Sequence, residues 1–560
     1  MHMHQNRRPR YAPASFWAIA FGSAFAFAFM LTLGLAGSAR ADDAADEVPL
    51  TRGLTPSSWK EFHLTLDGYL RVRADVFNDL DLSRGPTPTT GQPLFPVPAA
   101  GGGDHTLTAA DMRLRLEPTL EVGQAVRVHL RVDVLDNVGF GSTPDVLPST
   151  SAFSGAVQSA APPVAGVNFA RDGISVKQAW GEVVLPFGTL AAGRMGGLVS
   201  WGTGFFINNG DCIGCDHGDT GDRIALTVPA LGHFFTLLYE LSSSGPYVDN
   251  FGQLVGVDRR AQVNTVAFAF ARYSSPEAQL RRLRAGRTLL QYGLLASYRQ
   301  QTLDAPAWTQ PGGLLRTFGP NDFVRRGLDS FAADLWVLLH HKGLRAELEL
   351  AMVTGRIGDA STAPGVSFRN PITSFQLGGL ISLAYQFHFP LRLRLEVGYA
   401  SGDDAPGFGV RVGSGQISSQ KGDLDGPQLH PPNDNTIDNF RFSPDYHVDL
   451  ILWRRIVGQI TDAVYVKPTV RVGPFGSAHH HFTLDTSLVA SNSLFVTTPP
   501  GQDRYLGVEL DWLARYRYEL GFEVGLGYGV FVPGGGFRNL QLNLDAQPAQ
   551  TLELILAYRI

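Results

Sequence analysis

The feature that most constrains this chain is an alternation of period two sustained over unusually long runs. In "HLTLDGYLRVRADV", Leu64, Leu66, Leu70, Val72, Ala74 and Val76 fall on one side, and Thr65, Asp67, Tyr69, Arg71, Arg73 and Asp75 on the other. Only an extended strand sorts neighbours in this way, because its successive side chains point to opposite faces, whereas a helix needs a period of 3.6. The pattern returns in "DMRLRLEPTLEV", "VRVHLRVDV", "LRAELELAM", "LRLRLEVGYA", "VYVKPTVRV" and "LGVELDWLARYRYEL". These runs reach about nine to fifteen residues, against about five or six for a globular strand. A tilted strand needs about 9–11 residues to cross a bilayer.

The connections alternate too. Short turns are expected at "LPFGTL", "VPALGHF", "HHKGLR", "HFPLR", "ITDAVY" and "ELGFE". Between them lie long polar, Gly/Pro-rich segments near 79–109, 137–172, 198–221, 242–260, 302–327, 357–371, 402–444, 475–505 and 532–549. Short turns at one rim and long loops at the other are the plan of a transmembrane barrel. A soluble sandwich shows no such asymmetry. The spacing therefore predicts an all-β fold, a transmembrane antiparallel β-barrel of about eighteen strands. Sixteen is the other even count, because the boundaries at 274–286 and 475–505 are soft. Both termini then lie on the periplasmic side, and no separate soluble domain, plug or nucleotide site is indicated.

The ends of the chain fit an exported protein. Arg7, Arg8 and Arg10 precede an apolar run from Phe16 to Ala36, and Ala39-Arg40-Ala41 supplies the small residues a signal peptidase reads. We expect residues 1–41 to be a signal peptide, 42–58 a periplasmic lead-in and 59–560 the barrel; an uncleaved anchor is the alternative. Cleavage removes four arginines and no acid, leaving 42 basic against 51 acidic residues, a balance that argues against nucleic-acid binding. At the other end, Leu552, Leu554, Leu556, Tyr558 and Ile560 of "TLELILAYRI" share one face. This resembles the signal that outer-membrane barrels present to the barrel-assembly machinery, with Ile560 where Phe is usual.

"VKQAWGEVVLPFGTLAAGRMGGLVSWGTG", Val176 to Gly204, resembles the strand–turn–strand of alginate-export-type porins, with Gly193 and Arg194 matching their Gly-Arg pair. "DYHVDLILWRRIVGQITDAVYVKPTVRV" is similar in character, and the whole chain resembles an uncharacterised family of large predicted outer-membrane proteins. The resemblance implies passage of a hydrophilic solute or polymer through the lumen, with outer-membrane lipid as surroundings. It carries over no cargo-binding residue and leaves the oligomeric state open.

If the apolar face meets lipid, Arg71, Arg73, Arg113, Arg115, Arg127 and Arg131 turn inward, joined later by Arg392, Arg394, Lys467, Arg471, Arg515 and Arg517. Such a ladder can guide anions, since low-dielectric walls focus its field. It can equally brace the wall, because Asp67, Asp75, Asp111, Glu117 and Asp133 turn inward beside it and guanidinium forks pair well with carboxylates. The expected function is a porin-like channel for hydrophilic solutes, anions among them, or for a polymer. The alternatives are a surface-binding barrel with an occluded lumen and, further off, an outer-membrane hydrolase, for which no G-x-S-x-G motif in strand–turn–helix context is present. His479 to His481 are expected in a surface loop.

"GDCIGCDHGDTGDR" holds the only two cysteines. In an oxidising compartment a Cys212–Cys215 disulfide would pin the third long loop. The alternative is a structural zinc held by Cys212, Cys215 and His217 with Asp211, Asp216, Asp219 or Asp222, or calcium on the aspartates. No other cofactor is expected.

Overall fold

The structure is a computed structural model that describes residues 62–98, 103–140, 143–144, 160–161, 173–197, 200–243, 259–304, 323–360, 370–412, 418–428, 434–477 and 479–560. The expected signal peptide and lead-in lie outside these residues.

Eighteen antiparallel strands form one closed sheet. They are β1 (Phe62–Asn78), β2 (Thr106–Val122), β3 (Val126–Gly139), β4 (Ile174–Leu185), β5 (Gly188–Met195) and β6 (Gly221–Ala230). Then come β7 (His233–Ser243), β8 (Val263–Arg272), β9 (Leu289–Gln301), β10 (Leu328–His341), β11 (Leu344–Ile357) and β12 (Ile372–Gln386). The last six are β13 (Leu391–Ala400), β14 (Ala463–Gly476), β15 (His480–Ser493), β16 (Tyr505–Tyr518), β17 (Phe522–Pro533) and β18 (Ala549–Arg559). Each strand pairs with the next in the chain. β18 closes the ring on β1, from Tyr69 opposite Arg559 to Asn78 opposite Gln550. Closure leaves no edge whose backbone groups hydrocarbon would strand.

Burial along the strands is inside out. On β1 the alternate residues Tyr69, Arg71, Arg73, Asp75 and Phe77 are buried, while Leu64 is 66% and Leu66 48% exposed. The same reversal puts Leu350, Ile381, Leu383 and Leu395 on the outside and Glu349, Ser382 and Glu396 within. An apolar belt facing out around a polar interior is stable only where the outside is hydrocarbon. The expected transmembrane barrel of about eighteen strands is the fold observed.

Two stretches depart from the sequence reading. Residues 445–462 carry strand-like alternation yet form no strand, so "ITDAVY" is not a hairpin turn. They belong instead to one long loop, L7 (401–462), which ends directly in β14. The expected surface loop at 475–505 is a short turn, then β15, then an outer loop, L8 (494–504). The His479 to His481 run consequently sits at the short-turn rim, with His480 and His481 on β15. The two errors offset each other in the strand count.

The lumen is also not empty. The described residues of L1 (79–105), L3 (196–220) and L7 fold inward and share one hydrophobic core with the wall. Leu82, Phe205, Phe440, Trp453 and Ile456 are each 0–2% exposed within it. Small wall residues make the room: a Cβ at Gly378 would strike the Phe440 ring, and one at Gly398 the Tyr465 ring. L7 thus gains what an isolated loop lacks, apolar surface to bury at about 25 cal/mol per Å².

Candidate functional site

The inward faces of β1, β2 and β3 build the upper part of the site. Because register places Arg71 opposite Arg113, Arg73 opposite Asp111 and Tyr69 opposite Arg115, the alternation stacks guanidiniums on one wall. Acids of the same wall answer some of them. Asp111 accepts from Arg73 Nε at 2.9 Å and Arg71 Nη2 at 3.1 Å, Asp133 from Arg115 Nε at 2.7 Å, and Asp136 from Arg113 Nε at 2.9 Å.

L3 supplies the rest. Asp216 lies 3.0 Å from both Arg71 and Arg73 and 2.6 Å from Arg113. The loop's carbonyls are gripped as well: Ile213 by Arg71 at 2.9 Å, Cys215 by Arg113 at 2.7 Å and Gly210 by Arg115 at 2.9 Å. Burial opposes ionisation of Asp216, but Arg73, Arg71 and Arg113 together outweigh it and hold the carboxyl well below the usual carboxylate range. Cys212 and Cys215 are joined by a disulfide inside this docked segment. At the start of L3, Trp201 Nε1 donates to Asp334 at 3.1 Å and the Thr203 N–H donates to Glu349, both on the opposite wall. L3 therefore crosses the lumen between β1–β3 and β10–β11.

L7 is locked by a second set of contacts. The Glu509 carboxylate of β16 accepts the backbone N–H groups of Leu450, Ile451 and Leu452 at 2.8–2.9 Å. Asp449 accepts from Trp453 N at 3.1 Å, which starts the short π-helical turn Leu452–Val457. Arg454 reaches Glu553 at 2.7 Å, and Arg455 reaches Asp75 at 3.2 Å. L7 also holds L3 directly, since Asp445 accepts the N–H groups of Asp216 and His217 at 3.0 and 2.8 Å.

Beneath the two loops lies a polar cavity of about 330 Å³, lined by Gly202, Thr203, Arg345, Glu347, Arg394, Glu396, Tyr446, His447 and Lys467. His447 lines it with an exposed side chain. The wall from β11 to β17 turns in seven cations, Arg345, Arg392, Arg394, Lys467, Arg471, Arg515 and Arg517, and as many acids, but Glu349, Glu509 and Asp511 lie deeper, with Glu349 and Glu509 holding the loops, which leaves Glu347, Glu396, Asp485 and Glu523 toward the short-turn rim. Arg392 stands directly opposite Arg471, a destabilising like-charge pair. Asp485 relieves it by taking Arg471 in a bidentate grip at 2.6 Å. Arg392, Lys467 and Arg515 are left without a hydrogen bond or ion pair among the described residues.

The arginines read from sequence thus separate into two groups. Arg71, Arg73, Arg113 and Arg115 are 0–5% exposed and are used up in docking L3. Arg127 pairs with Glu182 at 2.8 Å, and Arg131 with Glu117 and, at 2.8 Å, with Asp211. Arg392, Arg394, Arg471, Arg515 and Arg517 face the lower lumen.

The ligand set considered for a metal does not converge. Both sulfurs are in the disulfide, Asp211 and Asp216 hold arginines, Asp219 accepts from Asn208 N at 2.7 Å, and Asp222 pairs with Arg194 on the outer face at 2.8 Å. Among the described residues the group whose ligand atoms do lie close is Asp79, Asp81 and His105. Sequence reasoning passed over Arg345 and Glu347, although the alternation of "LRAELELAM" puts both on the polar side. It missed Tyr446, His447 and the clamp by Glu509, because the alternation of 445–462 reads as a wall strand and does not reveal that this stretch folds into the lumen.

No family model and no curated protein matches the chain. Among solved structures it is similar to a BenF-like porin of Pseudomonas fluorescens, at 10% identity over 88% of this chain and 98% of that one, TM-score 0.40. It is also similar to OccK5 of Pseudomonas aeruginosa, at 10% identity over 88% and 98%, TM-score 0.38. OmpT, an outer-membrane protein of Vibrio cholerae, matches at 8% identity over 89% and 98%, TM-score 0.34. At these scores no residue's role passes from one chain to the other.

Proposed function

We propose that the protein is an outer-membrane channel for small hydrophilic solutes, with a preference for anions, and that L3 and L7 set its constriction. The observation that carries this reading is the run of cations toward the short-turn end of the lumen: Arg345, Arg394 and Lys467 line the polar cavity, and Arg392, Lys467 and Arg515 make no hydrogen bond or ion pair among the described residues. Unpaired cations in a low-dielectric wall raise the local concentration of anions, whereas paired ones do not. The cavity volume of about 330 Å³ is at the small end for ligand sites and suits a small solute better than a polymer chain. Residues 1–41 serve in this reading as the export signal, 42–58 as a lead-in, and the C-terminal strand as the mark read by the assembly machinery.

A second reading, a surface-binding barrel that stays shut, draws on one observation: Leu452, Trp453, Ile456 and Val457 of L7 are 0–2% exposed, packed as tightly as a globular core. Single-channel recording of the refolded mature protein, with reversal potential in a salt gradient, separates the two. Open steps with anion preference are expected, and R392E/K467E/R515E should move the reversal potential toward cation selectivity. Absence of conductance under all conditions would overturn the channel and leave the shut barrel.

A further inference from the structure

Eight hairpin connections form the short-turn rim, and seven of them have two to four residues with Lys342 and Glu519 as the only Lys, Arg, Asp or Glu. The eighth, between β8 and β9, is different. It runs from residue 273 to 288 and contains the helix α1 (Pro276–Arg284), capped by Ser275, whose side chain accepts from Ala278 N at 3.3 Å. None of the helix is buried. Arg281, Arg282, Arg284 and Arg287 are exposed against a single acid, Glu277. Leu280 is 53% exposed, and Leu283 lies one turn away on the same side, a short apolar ridge flanked by guanidiniums.

The wall above α1 marks the level at which it sits. His233 stacks on Phe270 at 4.8 Å and contacts the Tyr292 hydroxyl at 2.7 Å, and Phe235 packs on Phe270 at 5.2 Å. The parity of β7, β8 and β9 turns these rings outward, together with Arg272 at the end of β8. An outward cluster of aromatic rings near a barrel rim marks the boundary between hydrocarbon and headgroups. α1 begins four residues beyond Arg272, so it lies at headgroup depth. A short basic helix with an apolar ridge at that depth has the make-up of an interfacial anchor.

We infer that α1 docks on the periplasmic leaflet of the outer membrane, its arginines binding the phosphates of anionic phospholipid headgroups and Leu280 and Leu283 entering the acyl boundary. This rests on the barrel spanning that membrane and is independent of whether it conducts. A failure of conductance would leave it standing.

The test uses the full mature protein in nanodiscs of phosphatidylcholine with or without phosphatidylglycerol, read by hydrogen exchange of the amides in 276–287. Each arginine at an anionic surface is worth about a fivefold factor. Exchange should therefore slow by at least tenfold with phosphatidylglycerol, return at high salt, and be indifferent to phosphatidylglycerol in R281Q/R282Q/R284Q. Exchange in β8 and β9 should be equal in the two proteins, which separates loss of docking from loss of fold. Equal exchange in both lipids, or slowing that survives in the variant, overturns the inference. Protection by added inorganic polyphosphate but not by phosphatidylglycerol also overturns it, and would make a soluble acidic partner the occupant.

Discussion

Asp216→Asn removes one charge from the point where L3 meets the arginine wall. Arg71 and Arg113 are 0% exposed, so their charges have little water to fall back on. Removing one partner of a buried pair costs about 3–5 kcal/mol. The Asp216 side chain keeps 25% of its exposure and asparagine retains one acceptor oxygen, so we take about 2–3 kcal/mol. That corresponds to a rise of about 30- to 150-fold in the undocked fraction of L3. Hydrogen exchange across 205–218 should accelerate by that factor, with the strands unaffected, and single-channel records should show more frequent or larger open steps. Reducing the Cys212–Cys215 bond should have a smaller effect, because the ring is small and the guanidinium contacts to Gly210, Ile213 and Cys215 carbonyls do not depend on it. A change under about threefold, or acceleration spread evenly over the barrel, would refute the view that this carboxylate holds the loop. The pH dependence has a definite sign. A carboxyl depressed on folding contributes stability above its unfolded value of about 3.9 and loses it as pH falls toward the folded value. L3 should thus stay docked between about pH 5 and 8 and release only in stronger acid.

Three further outcomes follow from particular contacts. Glu509→Ala strips the acceptor from two buried N–H groups and one half-buried one, each such bond being worth about 1.5–3 kcal/mol before non-additivity, so trypsin should cut after Arg454 or Arg455 in the variant and not in the parent. Gly202→Ala places a Cβ at φ +55° against the Glu349 carboxylate, and the left-handed backbone alone costs about 1–2 kcal/mol; faster exchange at Trp201–Thr203 is expected, and unchanged exchange would show that Glu349 yields. His105 in L1 is raised by its hydrogen bond to Asp81 and by that carboxylate's charge. Its contribution is therefore complete below about pH 6.5 and fades as pH rises through the raised value, and an NMR titration should show the midpoint fall in Asp81→Asn.

The wall was legible in the sequence because a barrel strand obeys two rules at once, alternation and length, and a stretch such as Phe62–Asn78 has no helical reading. The lumen was not legible, and residues 445–462 show why. "DYHVDLILWRRIVGQITD" alternates well enough to pass for a strand, yet its Leu450, Leu452 and Ile456 meet wall side chains instead of lipid. Alternation reports that one side is apolar and does not report which medium that side faces. Nor does sequence spacing reveal that Glu509 reaches Leu450, Ile451 and Leu452 from a strand that starts more than fifty residues on. The arginine ladder was half legible for the same reason: its facing followed from parity, its partners from a loop with no period.

Those partners decide what each arginine can do. A guanidinium held at 2.6–3.0 Å by Asp216 has its field cancelled at the distance of a passing solute, so the upper ladder can fix a loop but cannot draw anions. Toward the short-turn ends of β11 to β17, Lys467 lines the cavity beside Arg345 and Arg394, and Arg392, Lys467 and Arg515 make no ion pair among the described residues. If a solute path exists, its selectivity should depend on those three residues and be indifferent to Arg71, Arg73 and Arg113 except through the position of L3. The two groups therefore give opposite signatures. Charge reversal in the lower group should shift reversal potential at constant loop exchange. Neutralising Asp216 should change loop exchange and conductance with little change in the sign of selectivity. A lower-group variant that loosened L3, or an Asp216 variant that inverted selectivity, would show that the division is wrong and that one continuous ladder serves both purposes.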